Sequence, residues 1–153
     1  MKRLGLALVA GVLVAACAAH TTDPSLDAAA KTFRAAAGQA CVYVVPTSST
    51  YEVTVRLDGR KVGTLGTENF LRLDVPPGRH TLSAAPDSLL PTVTGAPPEN
   101  LTVEAEAGQC YFLRTVWTDF DRSWRQPRVY LERIKEDEGQ QAVNVRTLTL
   151  PMN

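Results

Sequence analysis

Short runs in which apolar and polar residues alternate are the feature of this chain that most limits its fold. In residues 51–57 apolar side chains occupy every second position, and polar side chains lie between them. A period of two is typical of a strand with one buried face. Asp58 and Gly59 follow, a dipeptide that favours a tight hairpin turn, and residues 61–65 supply a partner strand. This segment therefore predicts a β-hairpin.

The same alternation recurs along much of the chain. Further runs lie at residues 71–75, 80–84, 101–105, 110–116 and 129–131. Pro76-Pro77-Gly78 lies between the first two of these runs. It ends the first strand, because proline lacks the N–H that a β-ladder needs. Six to eight short strands with turns between them predict an all-β fold, an antiparallel β-sandwich. For residues 142–150 we expect an edge strand, with a short helix from Lys135 as the alternative.

The N-terminus has the layout of a secretory signal. Lys2 and Arg3 precede an apolar run over residues 4–16, which is shorter than the roughly 20 residues of a membrane-spanning helix. The run closes on Val14-Ala15-Ala16-Cys17, which resembles a bacterial lipoprotein lipobox. The resemblance implies cleavage before Cys17 and a lipid anchor on it. The alternative is an ordinary signal peptide with an incidental cysteine.

These features divide the chain into three parts. Residues 1–16 are the expected signal peptide, residues 17–37 a lipidated tether, and residues 38–153 the β-sandwich domain. Within the tether, residues 25–37 are rich in alanine and begin with Ser25 as a candidate N-cap. They predict either a short helix or a stalk that holds the domain away from the bilayer.

The charge balance of the mature chain argues against a nucleic-acid partner. Loss of Lys2 and Arg3 from a chain with 16 basic and 16 acidic residues leaves two acidic residues in excess. Proteins that bind nucleic acid usually carry a basic excess. The same balance provides no electrostatic attraction towards anionic lipid. We therefore expect the lipid on Cys17 alone to attach the protein to the membrane.

Two cysteines remain besides Cys17. Cys41 and Cys110 both lie in apolar, strand-like contexts. An exported domain meets an oxidising compartment, so we expect a disulfide, which would close a loop of 69 positions. Two buried thiols are the alternative. Neither Cys41 nor Cys110 lies close to a histidine in the sequence, so no metal site or other cofactor is expected.

Three segments resemble a family of small bacterial lipoproteins known as domain of unknown function 2846. They are residues 30–46, residues 55–65 together with 71–82, and residues 103–115. The middle segment is also similar to PEGA-type modules, although the turn here reads Pro76-Pro77-Gly78-Arg79. The resemblance implies an immunoglobulin- or prealbumin-like β-sandwich on an envelope lipoprotein, with no established activity.

The sequence carries no recognisable catalytic constellation. No serine lies in a G-x-S-x-G elbow, and a triad would have to use His80, because His20 lies in the tether. We expect His80 to be a hydrogen-bonded, half-buried strand residue rather than a catalyst. An envelope hydrolase or thiol-dependent enzyme using His80 or a free cysteine is the alternative. The acidic pair Asp119 and Asp121 lacks the further oxygen ligands that calcium needs.

Residues 117–128 combine aromatic and arginine side chains, which are enriched at binding hot spots. The candidate binding residues are Trp117, Phe120, Arg122, Trp124 and Arg125. The alternative is that the tryptophans close one end of the sandwich while the charges face water. We therefore expect a monomeric, non-catalytic module that binds an envelope protein or glycan. Ala18 and Ala19 follow the expected lipidation site, where an aspartate would favour retention in the inner membrane. The resemblance to sorted bacterial lipoproteins therefore implies the outer membrane, with the domain facing the periplasm.

Overall fold

The computed structural model describes residues 23–47, 52–87, 99–118 and 128–152. Nine strands and two short helices occupy these ranges. In chain order they are α1 (Pro24–Ala30), β1 (Ala40–Val45), β2 (Val53–Leu57), β3 (Arg60–Leu65), β4 (Asn69–Val75), β5 (Gly78–Pro86), β6 (Asn100–Ala105), β7 (Cys110–Trp117), β8 (Val129–Arg133), α2 (Glu136–Asn144) and β9 (Thr147–Thr149). Neither helix is long and apolar enough to cross a bilayer, and no other helix occurs among the described residues.

The strands form two sheets that pack face to face. One sheet has the strand order β8-β7-β1-β4-β9, and the other has the order β3-β2-β5-β6. Buried side chains from both sheets make one apolar cluster between them; its members include Val42, Leu73 and Leu113 from the first sheet and Val55 and Leu82 from the second. The prediction of a mostly β, sandwich-like fold is therefore confirmed.

The expectation that all strands pair antiparallel is wrong at two places in the five-stranded sheet. β1 pairs with β7 in parallel, and β4 pairs with β9 in parallel. Both pairs join segments that are far apart in the sequence, so no hairpin turn sets their direction. Alternation within a strand shows which face is buried, but it does not show which strand lies beside it or in which direction.

The predicted hairpin between β2 and β3 is confirmed. Asp58 and Gly59 have backbone φ angles of 49° and 81°, which are the positive values that a two-residue hairpin turn requires. The strands on either side pair antiparallel, with Leu57 opposite Arg60. Asp58 tolerates this conformation better than most residues because its short side chain makes local hydrogen bonds.

The outer face of the five-stranded sheet is also covered. α1, residues 33–35 and α2 pack on it and bury a second apolar cluster that includes Tyr43, Phe70 and Phe112. The rings of Tyr43 and Phe112 are stacked, with their centroids 5.0 Å apart. β1 is consequently buried at all six positions, which accounts for its continuous apolar sequence.

The N-terminal segment is a helix held against this sheet. α1 ends at Ala30, and its N-cap is Asp23 rather than the expected Ser25, whose backbone N–H donates to the Asp23 carboxylate. The hydroxyl of Tyr43 donates to the carbonyl of Ala30 over 2.6 Å. Arg72 donates to the carbonyl of Arg34 over 2.8 Å. These contacts exclude a free stalk for residues 24–34.

The expected edge strand over residues 142–150 is wrong for most of its length. α2 extends to Asn144, and the strand that follows is confined to β9. Val143 is fully buried on the outer face of the sheet, whereas Val145 is 78% exposed. The apparent alternation thus joins the last turn of a helix to a three-residue strand, and a short run cannot distinguish these two periods.

Gly139 brings α2 close enough to the sheet for the contact with Phe112. A methyl group at this position would overlap the Phe112 ring.

We therefore expect Gly139→Ala to lower the free energy of unfolding by about 1–3 kcal/mol, although alanine favours a helix by roughly 1 kcal/mol over glycine. Urea denaturation measures the change. Gln141→Ala, on the exposed side of the same helix, is the control and should stay within about 0.5 kcal/mol of the unaltered protein. Equal stability of Gly139→Ala and the control would contradict this packing.

Candidate functional site

His80 lies at the end of the sandwich where the β2–β3 hairpin and the turn at residues 76–78 meet. Its side chain is 11% exposed, and both ring nitrogens have partners. Nδ1 is 2.8 Å from a carboxylate oxygen of Asp58, and Nε2 is 2.8 Å from the carbonyl oxygen of Pro76. The prediction that His80 is a hydrogen-bonded, half-buried strand residue is confirmed.

Asp58 also holds the hairpin to β5. Its second carboxylate oxygen accepts the backbone N–H of Thr81 over 2.8 Å, and its own N–H donates to the carbonyl of Thr81. The sequence indicated Asp58 only as a turn residue. Its pairing with His80 was missed because 22 positions separate the two residues, and no local pattern joins them.

The hydrogen bonds favour the charged form of both side chains. The contact with Asp58, assisted by the Pro76 carbonyl, raises the pKa of His80 above its usual 6.5. The bond from the Thr81 N–H, and then the one from His80, lower the pKa of Asp58 below 3.8. Because both partners of the ring are acceptors, the imidazolium donates from both nitrogens. Neither nitrogen is free to take a proton from a substrate, so the group works as a clamp between the hairpin, the turn and β5.

Cys41 and Cys110 lie opposite one another on β1 and β7. They are register partners in the parallel pair, with their Cα atoms 4.5 Å apart and their sulfur atoms at disulfide-bonding distance. Cys41 is fully buried, and Phe33 packs beside the pair. This arrangement fits a structural bridge and leaves neither sulfur placed as an exposed nucleophile.

Three chain connections begin and end at the opposite end of the sandwich, which we call the loop end. The described residues that border them are Thr47 and Glu52, Asp87 and Glu99, and Thr118 and Arg128. Strand register brings these borders together, because Val53 lies opposite Pro86 in one sheet and Val45 lies opposite Arg114 in the other. The short turn between β3 and β4 joins the two sheets at this same end.

Hydrogen bonds hold the borders of each connection in place. The backbone N–H of Thr47 donates to the hydroxyl of the fully buried Thr115 over 3.0 Å, and the Thr47 hydroxyl donates to the Thr115 carbonyl. The N–H of Asp87 donates to the carbonyl of Glu52 over 2.9 Å. The N–H of Thr118 donates to the carbonyl of Arg128, also over 2.9 Å. The loop end is therefore a fixed frame for the chain that it carries.

Trp117 is the one candidate binding residue within the described ranges. It is half-buried and packs against the apolar cluster between the sheets, as the alternative interpretation expected of it. Phe120, Arg122, Trp124 and Arg125 lie outside the described residues, as do Asp119, Asp121 and the proposed lipid attachment site Cys17.

Other binding features are sparse in the part of the chain that the structure describes. No group of three or more histidine, cysteine, aspartate or glutamate side chains is placed there to hold a metal ion. A shallow, open depression lies beside the β2–β3 hairpin, lined by residues that include Asp58, Arg60, Lys61 and Met152. It is partly open to solvent, whereas ligand pockets usually enclose most of the ligand surface.

The comparisons with known proteins do not extend this description. No protein-family model matches the chain, and no curated protein matches it. The resemblance to the lipoprotein family therefore stays a prediction.

The clamp predicts a pH-dependent contribution of His80 to stability. The raised pKa means that this contribution is fully present below pH 6.5 and is lost as the pH rises through the folded-state value. His80→Gln should lower the free energy of unfolding by about 1 kcal/mol at pH 5.5, a value reduced for the solvent exposure of Asp58, and by less at pH 9. Urea denaturation at the two pH values measures both differences.

Arg79→Gln is the matched control on the same strand. Arg79 forms an ion pair with Glu104 in which both side chains are mostly exposed, so its loss should change stability little at either pH. A His80→Gln variant whose deficit is equal at pH 5.5 and pH 9 would contradict the charged clamp.

Proposed function

We propose that this protein is a lipid-anchored module of the bacterial envelope that binds a protein or glycan partner at the loop end, without catalysis. One observation carries the proposal. The borders of three connections, which span residues 48–51, 88–98 and 119–127, are held together at one end of a rigid two-sheet frame.

Recognition by loops carried on a rigid sandwich has a clear physical basis. The frame supplies the stability, so the connections are free to vary in chemistry without loss of the fold. Immunoglobulin variable domains use clustered loops at one end of a sandwich in this way. Of the three connections, the one that follows Trp117 carries the aromatic and arginine side chains that dominate binding energy in protein interfaces: Phe120, Arg122, Trp124 and Arg125.

We further propose that the fold is immunoglobulin- or prealbumin-like and that the chain belongs to the lipoprotein family that it resembles. The two-sheet packing and the confirmed hairpin at Asp58 and Gly59 are consistent with this assignment. The buried β1 lies within one of the three resembling segments, residues 30–46, and most of β7 lies within another, residues 103–115.

The anchor and the location form part of the same proposal. Residues 1–16 would be removed, Cys17 would carry lipid, and Ala18 and Ala19 favour transfer to the outer membrane. The domain would then face the periplasm as a monomer. An enzymatic role for His80 or a cysteine is less favoured, because both nitrogens of His80 are engaged and the sulfur atoms of Cys41 and Cys110 lie together.

Substitution in the third connection tests the binding proposal. Trp124→Ala combined with Arg125→Ala should reduce capture of envelope partners, or co-sedimentation with peptidoglycan, by at least about tenfold, because a hot-spot pair contributes roughly 2 kcal/mol or more. For protein partners, the cells are crosslinked, the protein is affinity-purified, and the amount of each co-purified envelope protein is measured by quantitative mass spectrometry. Pelleting with purified sacculi measures the co-sedimentation with peptidoglycan.

A substitution at the opposite end of the sandwich is the control. Arg60→Ala removes an exposed arginine from the β2–β3 hairpin and should leave both measurements unchanged. Retention of every partner by the Trp124→Ala, Arg125→Ala variant would reject the loop end as the binding surface.

A further inference from the structure

Four large apolar side chains are exposed in the described residues, and all of them lie near one edge of the sandwich. They are Leu26 (45% exposed), Val145 (78%), Leu150 (52%) and Met152 (55%). Exposed apolar residues scattered singly need no explanation, but their concentration along one edge points to a contact.

This edge is formed by β9, by α1 on one side of it and by β3 of the other sheet. Val145 precedes β9, and Leu150 and Met152 follow it. The backbone N–H of Leu148 in β9 donates to the carboxylate of Asp27 over 2.7 Å, which places α1 and its residue Leu26 beside this strand. The N–H of Met152 donates to the carbonyl of Val62 over 2.8 Å, so the C-terminal residues continue along β3. We call this surface the β9 edge.

The chain that leads to the proposed anchor leaves the domain at this edge. Asp23 caps α1, and only six residue steps separate it from Cys17. A fully extended chain spans at most about 3.6 Å per residue, so Cys17 lies within roughly 22 Å of Asp23. A lipid on Cys17 would therefore keep α1 close to the bilayer.

We infer that the β9 edge is a membrane-contact surface, through which the domain rests on the phospholipid bilayer that holds its anchor. The inference depends on the proposed lipidation of Cys17. It assigns the bilayer as the partner of exposed apolar side chains that the binding proposal does not use. Leu26, Val145, Leu150 and Met152 enter the boundary between head groups and acyl chains, as the apolar face of an interfacial helix does.

The chemistry of the chain favours lipid over a charged partner at this place. The mature chain carries a small acidic excess, so electrostatic attraction to anionic lipid does not supply the contact. The apolar side chains supply it instead. Four side chains are too few to hold an unanchored domain on a membrane. The lipid on Cys17 would keep the domain at the bilayer surface, so even a weak contact would form there.

The strand order then sets the orientation of the domain. β9 and β8 are the two edges of the five-stranded sheet, four strand spacings or about 19 Å apart. The connection between β7 and β8 leaves the sheet at the far side from the β9 edge. Contact of the β9 edge with lipid therefore keeps the two ends of that connection, Thr118 and Arg128, on the side of the sheet that faces away from the bilayer.

Photo-crosslinking to lipid tests the contact. The mature, lipidated protein is reconstituted into vesicles of phosphatidylethanolamine and phosphatidylglycerol that contain a phospholipid with a diazirine in its acyl chain. After illumination, lipid adducts on residues 145–152 and on residues 99–107 are measured by mass spectrometry. We expect adducts at 145–152 to exceed those at 99–107 by at least fivefold, because residues 99–107 include the β6 edge of the other sheet.

Two variants make the test specific. Leu26→Gln, Val145→Gln, Leu150→Gln and Met152→Gln in combination should reduce the adducts at residues 145–152 at least fivefold while the protein stays bound to the vesicles through its lipid. Thr102→Gln, an exposed change on β6, should leave the adducts unchanged. Circular dichroism checks that both variants are folded.

The possible outcomes separate this inference from the proposed function. Lipidated protein without an excess of adducts at residues 145–152 overturns the inference and leaves the anchor intact. Protein-to-protein crosslinks through these residues in place of lipid adducts identify a second copy as the occupant and also overturn it. An intact mass that shows no lipid on Cys17 rejects the anchor itself, and the membrane contact with it.

Discussion

The parallel pairing of β1 with β7 is the contact on which the rest of the molecule depends. It joins segments 69 positions apart, with Cys41 opposite Cys110, and makes β1 the central strand of its sheet. The inner face of β1 packs against the second sheet, and its outer face packs under α1, Phe33 and α2. A strand buried on both faces has to be apolar throughout, which is the sequence that residues 40–45 have.

The direction of this central strand determines which features lie at each end of the sandwich. Because β1 and β7 run in the same direction, both strands end at the loop end, where β5 also ends and β6 begins. The cysteine pair and the clamp between His80 and Asp58 stabilise the opposite end. The N-terminal segment crosses the outer face of the sheet and exits beside β9. The proposed anchor and membrane contact lie beside β9, and the proposed binding residues follow β7. Val145 lies closest to the loop end, because its neighbour Arg146 donates to the carbonyl of Pro46.

The sequence predicted the local features of this structure better than the distant ones. Alternation located the strands, and the dipeptide Asp58-Gly59 located the hairpin, because both signals act between near neighbours. The parallel pairs, the partner of His80 and the outer apolar cluster depend on contacts between distant segments. The alternation over residues 142–150 predicts a strand where the structure has a helix, because α2 has only nine residues, too few for its helical period to stand out. Of the candidate binding residues, only Trp117 can be placed, and its core contact had been expected as the alternative.

Titration of free thiols in the denatured, unreduced mature protein tests the central pairing most directly. The chain contains three cysteines, and a lipid on Cys17 would block that sulfur as a thioether. With Cys41 bridged to Cys110, we expect no free thiol, and reduction should cost about 4 kcal/mol of stability by the chain-entropy model. One free thiol would indicate a bridge without the lipid. Two or more free thiols, with an unfolding curve that reductant leaves unchanged, would contradict the account of β1 and β7.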